Sequence, residues 1–310
     1  MSALLALTCA PLTAHCDPSD DALGPASTET VLVSRVIQVP TLVLRRSRGW
    51  ASLRLSEVWH SRDLLRSLAD RDVKLRYRQT ALGVSWVVLQ PLITTAVLAF
   101  AFGRIAKLSS GGVPFLLFVF VGMLIWNNFQ LTFVRMSSSL TSAADLVSKV
   151  YFPRLILPLA TVASALIDFA VGLGILAVLL ALYGVAPPVQ ILMLPVWLTV
   201  ALLLALGIGL VGSSLQVRYR DVALIIPVVG TFSLFASPVA YAISSVPSGT
   251  RTLLWLNPLS GVLEGARWSV LGGAFPPAGW VLYSCAVCFL SALVGALVFR
   301  RLERGFADVI

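Results

Sequence analysis

Charged residues are scarce in this sequence. Asp, Glu, Lys and Arg make up 12% of its 310 residues, whereas apolar residues make up 58%. Soluble domains carry about a quarter charged residues, so this chain has too little charge to cover the surface of a water-soluble fold. Its mean hydropathy of +0.90 agrees. We therefore predict an all-α, polytopic membrane protein.

Motifs for nucleotide or hydrolytic chemistry are missing as well. The sequence has no GxxxxGK[ST] phosphate-binding loop, no HExxH and no nucleophile elbow, and both of its histidines precede the first apolar run. We therefore expect no enzymatic activity in this chain. Energy for any transport must come from a partner or from an ion gradient.

The four cysteines indicate no cofactor. Cys285 and Cys288 form a CxxC inside an apolar run without a second pair. This pattern favours two small apolar side chains one helical turn apart over redox or metal chemistry. Cys9 and Cys16 flank His15, which is too sparse a set of ligands for zinc. We expect neither a metal nor a cofactor.

The positive charge is concentrated where the chain is about to become apolar. Arg71, Lys74, Arg76 and Arg78 crowd one short segment, and no further charge appears until Arg104. A cationic segment that lies on a membrane surface and then enters the bilayer has this pattern. The net charge of +9 is spread over the ends of apolar runs, so we expect no nucleic-acid partner.

Six apolar runs are long enough for the roughly 20 residues that a membrane-spanning helix needs. We place them at 84–103, 113–134, 155–182, 189–213, 222–243 and 277–299. Of the 23 Lys and Arg residues, 19 lie in segments 1–83, 135–154, 214–221 and 300–310, on one side of the membrane. Only four lie in the alternate segments. The positive-inside rule then places both termini in the cytoplasm.

The chain divides into four predicted parts. Residues 1–50 are predicted to be a disordered, basic N-terminal extension, and an over-extended start codon could account for residues 1–30. Residues 51–83 include Leu53–Ala69, whose apolar spacing suits a helix in the membrane interface or a helix that packs on a soluble partner. Residues 84–299 form the predicted transmembrane domain, and 300–310 a cytoplasmic tail.

Segment 244–276 is too long for a hairpin and too apolar for a soluble loop. Its short apolar pieces, broken by Pro and Gly, predict re-entrant or interfacial half-helices on the outer side. Non-helical backbone at that depth is tolerated only where protein or a watery path satisfies it. We therefore expect an exit here.

Four segments, in order, resemble the membrane subunit of an ABC-2-type exporter. They are RDVKLRYRQTALGVSWVVLQP, VSKVYFPRLILPL, VRYRDV and LNPLSGVLEGARW. The closest resemblance is to the branch that exports polysaccharides and polyol phosphates, such as O-antigen, capsule and teichoic acid. It covers about residues 55–304.

The resemblance implies a half-transporter in the bacterial inner membrane. It implies a homodimer of six-span subunits bound to two copies of a separate ATP-binding subunit, which would hold ATP and Mg²⁺. An interface helix would span about Ser56–Arg71. The loop Leu82–Gly83, beside Arg71, Lys74, Arg76 and Arg78, would lie where a lipid-linked substrate enters.

The resemblance also assigns the cytoplasmic segments that would contact the ATP-binding subunit. A coupling helix is expected at about Ser142–Tyr151 and a second contact at Arg218–Asp221. From composition alone, both could equally be ordinary loops. The candidate coupling residues are Ser142, Asp145, Lys149, Tyr151, Arg218 and Asp221.

Polar and aromatic residues inside the apolar runs have two interpretations each. Asp168 is either a proton or substrate site, or a structural carboxyl held by a neighbouring helix or by Arg; we favour the second. The candidate channel residues are Phe100, Phe102, Phe232, Phe235 and Tyr241. Their rings could stack on sugars in a shared channel, or they could face lipid and pack in the bundle.

Our leading hypothesis is a permease that moves a long, lipid-linked glycan from the cytoplasm to the outer leaflet. An ABC-2 exporter of a small drug or lipid is the alternative. An ion-coupled carrier, or a scaffold without a motor, is the third hypothesis. Carriers tend to show inverted repeats and several intramembrane charges, which this sequence does not.

Overall fold

Every regular element in the described part of the chain is helical. The computed structural model describes residues 62–77, 84–149 and 152–303. Its α-helices are α1 (Arg62–Tyr77), α2 (Val84–Ala99), α3 (Phe115–Ser142), α4 (Ala144–Lys149), α5 (Ile156–Leu182), α6 (Leu194–Arg218), α7 (Val222–Ala236), α8 (Ser248–Leu256), α9 (Pro258–Leu271) and α10 (Ala278–Glu303). A π-helical turn at Phe100–Ile105 continues α2, and 3₁₀ turns occur at Val189–Met193 and Ile243–Ser245.

Five stretches of the described residues are long and apolar enough to cross a bilayer. They are Val88–Ile105, Phe115–Ser142, Ile156–Leu182, Val189–Arg218 and Ala278–Glu303. The all-α prediction is therefore confirmed, and five of the six predicted spans correspond to helices of membrane length. The predicted run 222–243 is represented by the 15-residue helix α7.

Helix α7 ends early because of the sequence that follows it. Ser237 precedes Pro238 and adopts an extended conformation, with φ −105° and ψ 146°. A residue before proline is driven out of the helical region, and proline itself has no N–H to donate. The backbone at 237–242 is therefore irregular, and we call this segment the bend.

Helix α3 forms the centre of the bundle. It packs against α5, α6 and α9. Of its 18 most apolar consecutive residues, 78% are buried, whereas only 6% of Val88–Ile105 are. Apolar side chains cover residues 115–126 of α3 on all sides, including the fully buried Val119 and Ile125. A helix that is apolar all round is typical of the interior of a membrane bundle.

Helix α3 also continues past the predicted end of its span at residue 134. The hydroxyls of Ser137, Ser139 and Ser142 donate to carbonyls three or four residues earlier, so these polar groups are satisfied within the helix. Met136 and Leu140 are buried in the same stretch. The predicted cytoplasmic segment 135–154 therefore begins as the last turns of α3.

Helix α1 packs on this chain's own bundle. Leu68 and Ala69 are buried, and Leu68 joins an apolar cluster with Met136, Ile156 and Phe299. This contact accounts for Leu65 and Leu68, two described apolar positions of the predicted stretch Leu53–Ala69. The helix extends to Tyr77, beyond the expected end at Arg71. Residues 1–61, including the predicted extension 1–50, the loop Leu82–Gly83 and the tail 304–310 lie outside the described residues.

Candidate functional site

The predicted coupling residues lie at one end of the bundle. The short helix α4 follows α3 directly, and Asp145 is exposed in its first turn. A carboxylate there is stabilised by the partial positive charge of a helix N-terminus. Ser142 is exposed at the end of α3, and its hydroxyl donates to the Ser138 carbonyl at 2.7 Å. Lys149 is the last residue of α4, and Tyr151 lies outside the described residues.

A hydrogen bond joins the second predicted contact to the first. Gln216 Nε2, near the end of α6, donates to Thr141 Oγ1 in the last turn of α3 at 3.1 Å. Arg218 and Asp221 follow within a few residues, and both are exposed. Ser142, Asp145, Arg218 and Asp221 are the exposed members of the predicted coupling set, and we call these four residues the coupling face.

The basic segment is only partly described. Arg71 is exposed on α1, and Lys74 and Arg76 belong to the same helix. Arg78 lies outside the described residues. Because α1 packs against the start of α5, Arg71 lies at the end of the bundle where the α3–α5 connection also lies.

Two of the five candidate channel aromatics bring their rings together. The rings of Phe102 and Tyr241 have centroids 6.5 Å apart, and both side chains are half-buried. Phe100, Phe232 and Phe235 are instead exposed by 60% or more. The contact joins the π-helical turn after α2 to the bend after α7. We call Phe102 and Tyr241 the aromatic pair.

Asp168 pairs with an arginine from the neighbouring helix. Arg135 Nη1 on α3 donates to Asp168 Oδ2 on α5 at 3.2 Å. The side chain of Asp168 is 11% exposed and that of Arg135 is 27% exposed. This geometry supports the structural interpretation of Asp168, because an opposite charge offsets the cost of placing a carboxylate inside the bundle.

Sequence reasoning assigned no role to Arg267 or Glu264 on α9. Arg267 is 3% exposed, and its Nη1 donates to Glu264 Oε1 at 3.1 Å. The same guanidinium donates to backbone carbonyls of Pro238, Val239 and Tyr241. The available signal was an acid and a base three residues apart in an apolar segment, since that spacing lies on one helix face.

Two further side chains donate hydrogen bonds to backbone carbonyls on either side of the bend. Asn257 Nδ2 donates to the Ala236 carbonyl at 3.1 Å and to Ser237 Oγ at 2.9 Å. Arg251 Nη2 donates to the carbonyls of Ser244 and Val246. The last carbonyl of α7 is thus bound by Asn257, between α8 and α9, and two carbonyls that follow the bend are bound by Arg251 on α8.

Asn257 also caps α9. Two substitutions can therefore measure the contributions of its Oδ1 and its Nδ2 separately. Its Oδ1 accepts from the Leu259 N–H at 3.0 Å. We expect Asn257→Ser to keep this cap but lose both Nδ2 bonds, lowering the free energy of unfolding by about 1 kcal/mol. Asn257→Ala should lose the cap as well and cost about 1 kcal/mol more. Unfolding in detergent micelles measures both; a serine variant as stable as the wild type would contradict the role of Nδ2.

The described residues contain no group of three or more His, Cys, Asp or Glu side chains that could hold a metal ion. The candidate residues described above make hydrogen bonds, ion pairs and an aromatic contact.

Comparison with known proteins identifies the family. The ABC-2 type transporter family model matches residues 63–271. The chain is 28% identical to the O-antigen export system permease protein RfbA of Myxococcus xanthus, over 82% of this chain and 98% of the relative. It is 23% identical to RfbA of Klebsiella pneumoniae, over 80% and 95% respectively. The polysialic acid transport protein KpsM of Escherichia coli is 21% identical, over 75% and 91%.

The family match spans helices α1 to α9. It therefore includes the coupling face, the Arg135–Asp168 pair, the aromatic pair and the arginine that holds the bend. The chain belongs to the ABC-2 type transporter family.

Proposed function

We propose that this chain is the membrane subunit of an ATP-driven exporter of lipid-linked polysaccharide. The observation that carries the proposal is that the chain aligns along nearly the whole length of relatives named for O-antigen export and for polysialic acid transport. These two names share a long glycan as cargo. They favour the glycan exporter over the exporter of a small drug or lipid.

The proposed assembly is a homodimer with two copies of a separate ATP-binding subunit, which binds ATP and Mg²⁺. It lies in the bacterial inner membrane with both termini cytoplasmic. Helix α7 spans about 22 Å at 1.5 Å per residue, short of the roughly 30 Å hydrocarbon core. The bend, α8 and α9 complete the crossing that α7 begins, as re-entrant structure on the outer side. This agrees with the burial of α9 against α3, α6 and α10.

The proposed path of the substrate begins at the cytoplasmic end of the bundle. The lipid-linked glycan enters beside the basic segment that includes Arg71 and the Leu82–Gly83 loop. Hydrolysis in the ATP-binding subunit moves the coupling face, and the packed helices carry that motion outward. The polymer leaves past the bend, where the aromatic pair offers ring faces to sugars.

Deleting this chain and fractionating the lipid-linked polysaccharide tests the proposal. We expect polymer to accumulate in the cytoplasm and to disappear from the cell surface, and a plasmid-borne copy should restore it. Unchanged surface glycan together with new sensitivity to a small toxic compound would favour the drug exporter instead.

Charge reversal on α4 is expected to separate hydrolysis from export. In the assembled complex, Lys149→Glu or Asp145→Lys should lower polymer export by about tenfold or more, because like charges facing a docking partner cost several kcal/mol. ATP hydrolysis by the partner subunit should continue. Vesicle assays of export and of phosphate release measure the two rates on the same sample.

The matched control for this reversal is Arg301→Glu, an exposed charge in the last turn of α10. It changes net charge as Lys149→Glu does, but it lies on α10 and not on α4. Normal export by the α4 variants would show that α4 does not couple the two subunits.

A further inference from the structure

Arg267 is held by more contacts than an ion pair requires. Its Nη2 donates to the Pro238 carbonyl at 2.7 Å and also to that of Val239. Its Nη1 donates to the Tyr241 carbonyl at 3.3 Å and to Glu264 Oε1. Three carbonyls of one four-residue stretch therefore converge on a single planar group, and only the fork of a guanidinium offers donors in that arrangement.

The opposite side of the guanidinium is closed by α3. The Arg267 Cζ atom lies 4.0 Å from the centroid of the Phe118 ring. At Gly122, one turn further along, an added Cβ would lie 2.9 Å from Arg267 Nη2 and 2.7 Å from the Val239 carbonyl oxygen. Helix α3 thus leaves no free space beside the guanidinium and the bend, so neither can shift toward it.

Tyr241 transmits this constraint to α2. Its carbonyl is bound by Arg267, while its hydroxyl donates to the Phe235 carbonyl at 3.4 Å. Its ring then meets Phe102 in the turn that follows α2. The described contacts therefore link Arg267 to Phe102 through Tyr241.

We infer that Arg267 is a positioning residue that acts through Tyr241, fixing the bend so that the aromatic pair presents one geometry to the exported glycan. The inference rests on the proposed function. Of the five candidate aromatics, it assigns contact with the sugar to Phe102 and Tyr241. Phe100, Phe232 and Phe235 lack such a fixed partner ring among the described contacts and serve instead as apolar surface.

A double-mutant cycle in the assembled, reconstituted complex tests the inference. Arg267→Lys keeps the charge but loses the planar fork, and Phe102→Leu removes the partner ring. We expect each to slow polymer export, by about tenfold and about threefold respectively, and the double variant to be no slower than Arg267→Lys alone. Residues that act through one contact are non-additive in this way.

Phe100→Leu is the matched control, since Phe100 lies on the same π-helical turn but is exposed. Its effect should multiply with that of Arg267→Lys. The coupling between positions 267 and 102 should also vanish in a Tyr241→Ala background. If the effects of Arg267→Lys and Phe102→Leu multiply as in the control, Arg267 only stabilises the fold and the inference is wrong.

Thermal unfolding of the same variants gives a second readout that needs no substrate. The shift in unfolding midpoint for the double variant should be smaller than the two single shifts combined, and Phe100→Leu should show no such coupling. If Arg267→Lys does not assemble, Glu264→Gln replaces it, because that change loosens the guanidinium from its charged partner; additive midpoints would then overturn the inference. A wild-type complex that exports no glycan would refute the proposed function and leave this coupling measurable.

Discussion

Gly207→Leu is expected to abolish accumulation of the folded subunit. Gly207 on α6 and Gly295 on α10 lie against each other's helix. A Cβ at Gly207 would overlap the backbone carbonyl of Ser291, and a Cβ at Gly295 would overlap the Gly207 carbonyl oxygen. Backbone atoms cannot rotate away as a side chain can, so the helices must separate. We expect a loss of about 3 kcal/mol or more of stability.

The amount of subunit that remains folded in mild detergent, read by gel filtration, measures this effect. Gly174→Leu is the control: it lies on α5, another membrane-length helix, and an added Cβ there meets no atom within 4 Å. Gly207→Ala should fall between the wild type and Gly207→Leu. Normal folding of Gly207→Leu would show that α6 and α10 are not in close backbone contact.

Asp168→Leu is expected to destabilise the subunit more than removal of the whole ion pair does. The single change leaves the Arg135 guanidinium inside the bundle without the carboxylate that lies 3.2 Å away. We expect a cost of about 2 kcal/mol, less than for a fully buried pair because Arg135 is partly exposed. Arg135→Met/Asp168→Leu removes both charges of this pair, so most of that stability should return.

Export by the double variant decides between the two interpretations of Asp168. If the pair is structural, the folded double variant should export glycan at close to the wild-type rate. A folded double variant that hydrolyses ATP but exports nothing would instead make Asp168 a substrate or proton site. Export in vesicles, normalised to folded complex, separates these outcomes.

The apolar runs were predictable because a bilayer imposes a minimum length on any helix that crosses it. The ends of these runs were less predictable. The run at 222–243 reads as continuous by hydropathy, yet Pro238 stops the helix at Ala236. The helix of the run ending at 134 continues to Ser142, and Met136 and Leu140 in this extension are buried against neighbouring helices. Hydropathy averages over windows and registers neither a single proline nor the packing of individual side chains.

The partners of polar groups could not be deduced from one sequence. Arg135 was placed in a cytoplasmic segment, so nothing connected it with Asp168, 33 residues away. Glu264 and Arg267 could be recognised as neighbours on one helix face, but the carbonyls that Arg267 binds lie 26 to 29 residues earlier. Likewise, the period of a helix does not show which phenylalanine faces Tyr241. Each of these contacts depends on how helices pack.

Helix α3 connects the two ends of the molecule as one uninterrupted rod. Its 28 residues contain no proline, and at 1.5 Å per residue it is about 42 Å long. Thr141, bonded to Gln216, lies at one end, and Phe118, under the Arg267 guanidinium, lies near the other. A rigid rod of this length acts as a lever. If it pivots about its middle by about 5°, each end moves by about 2 Å in opposite directions.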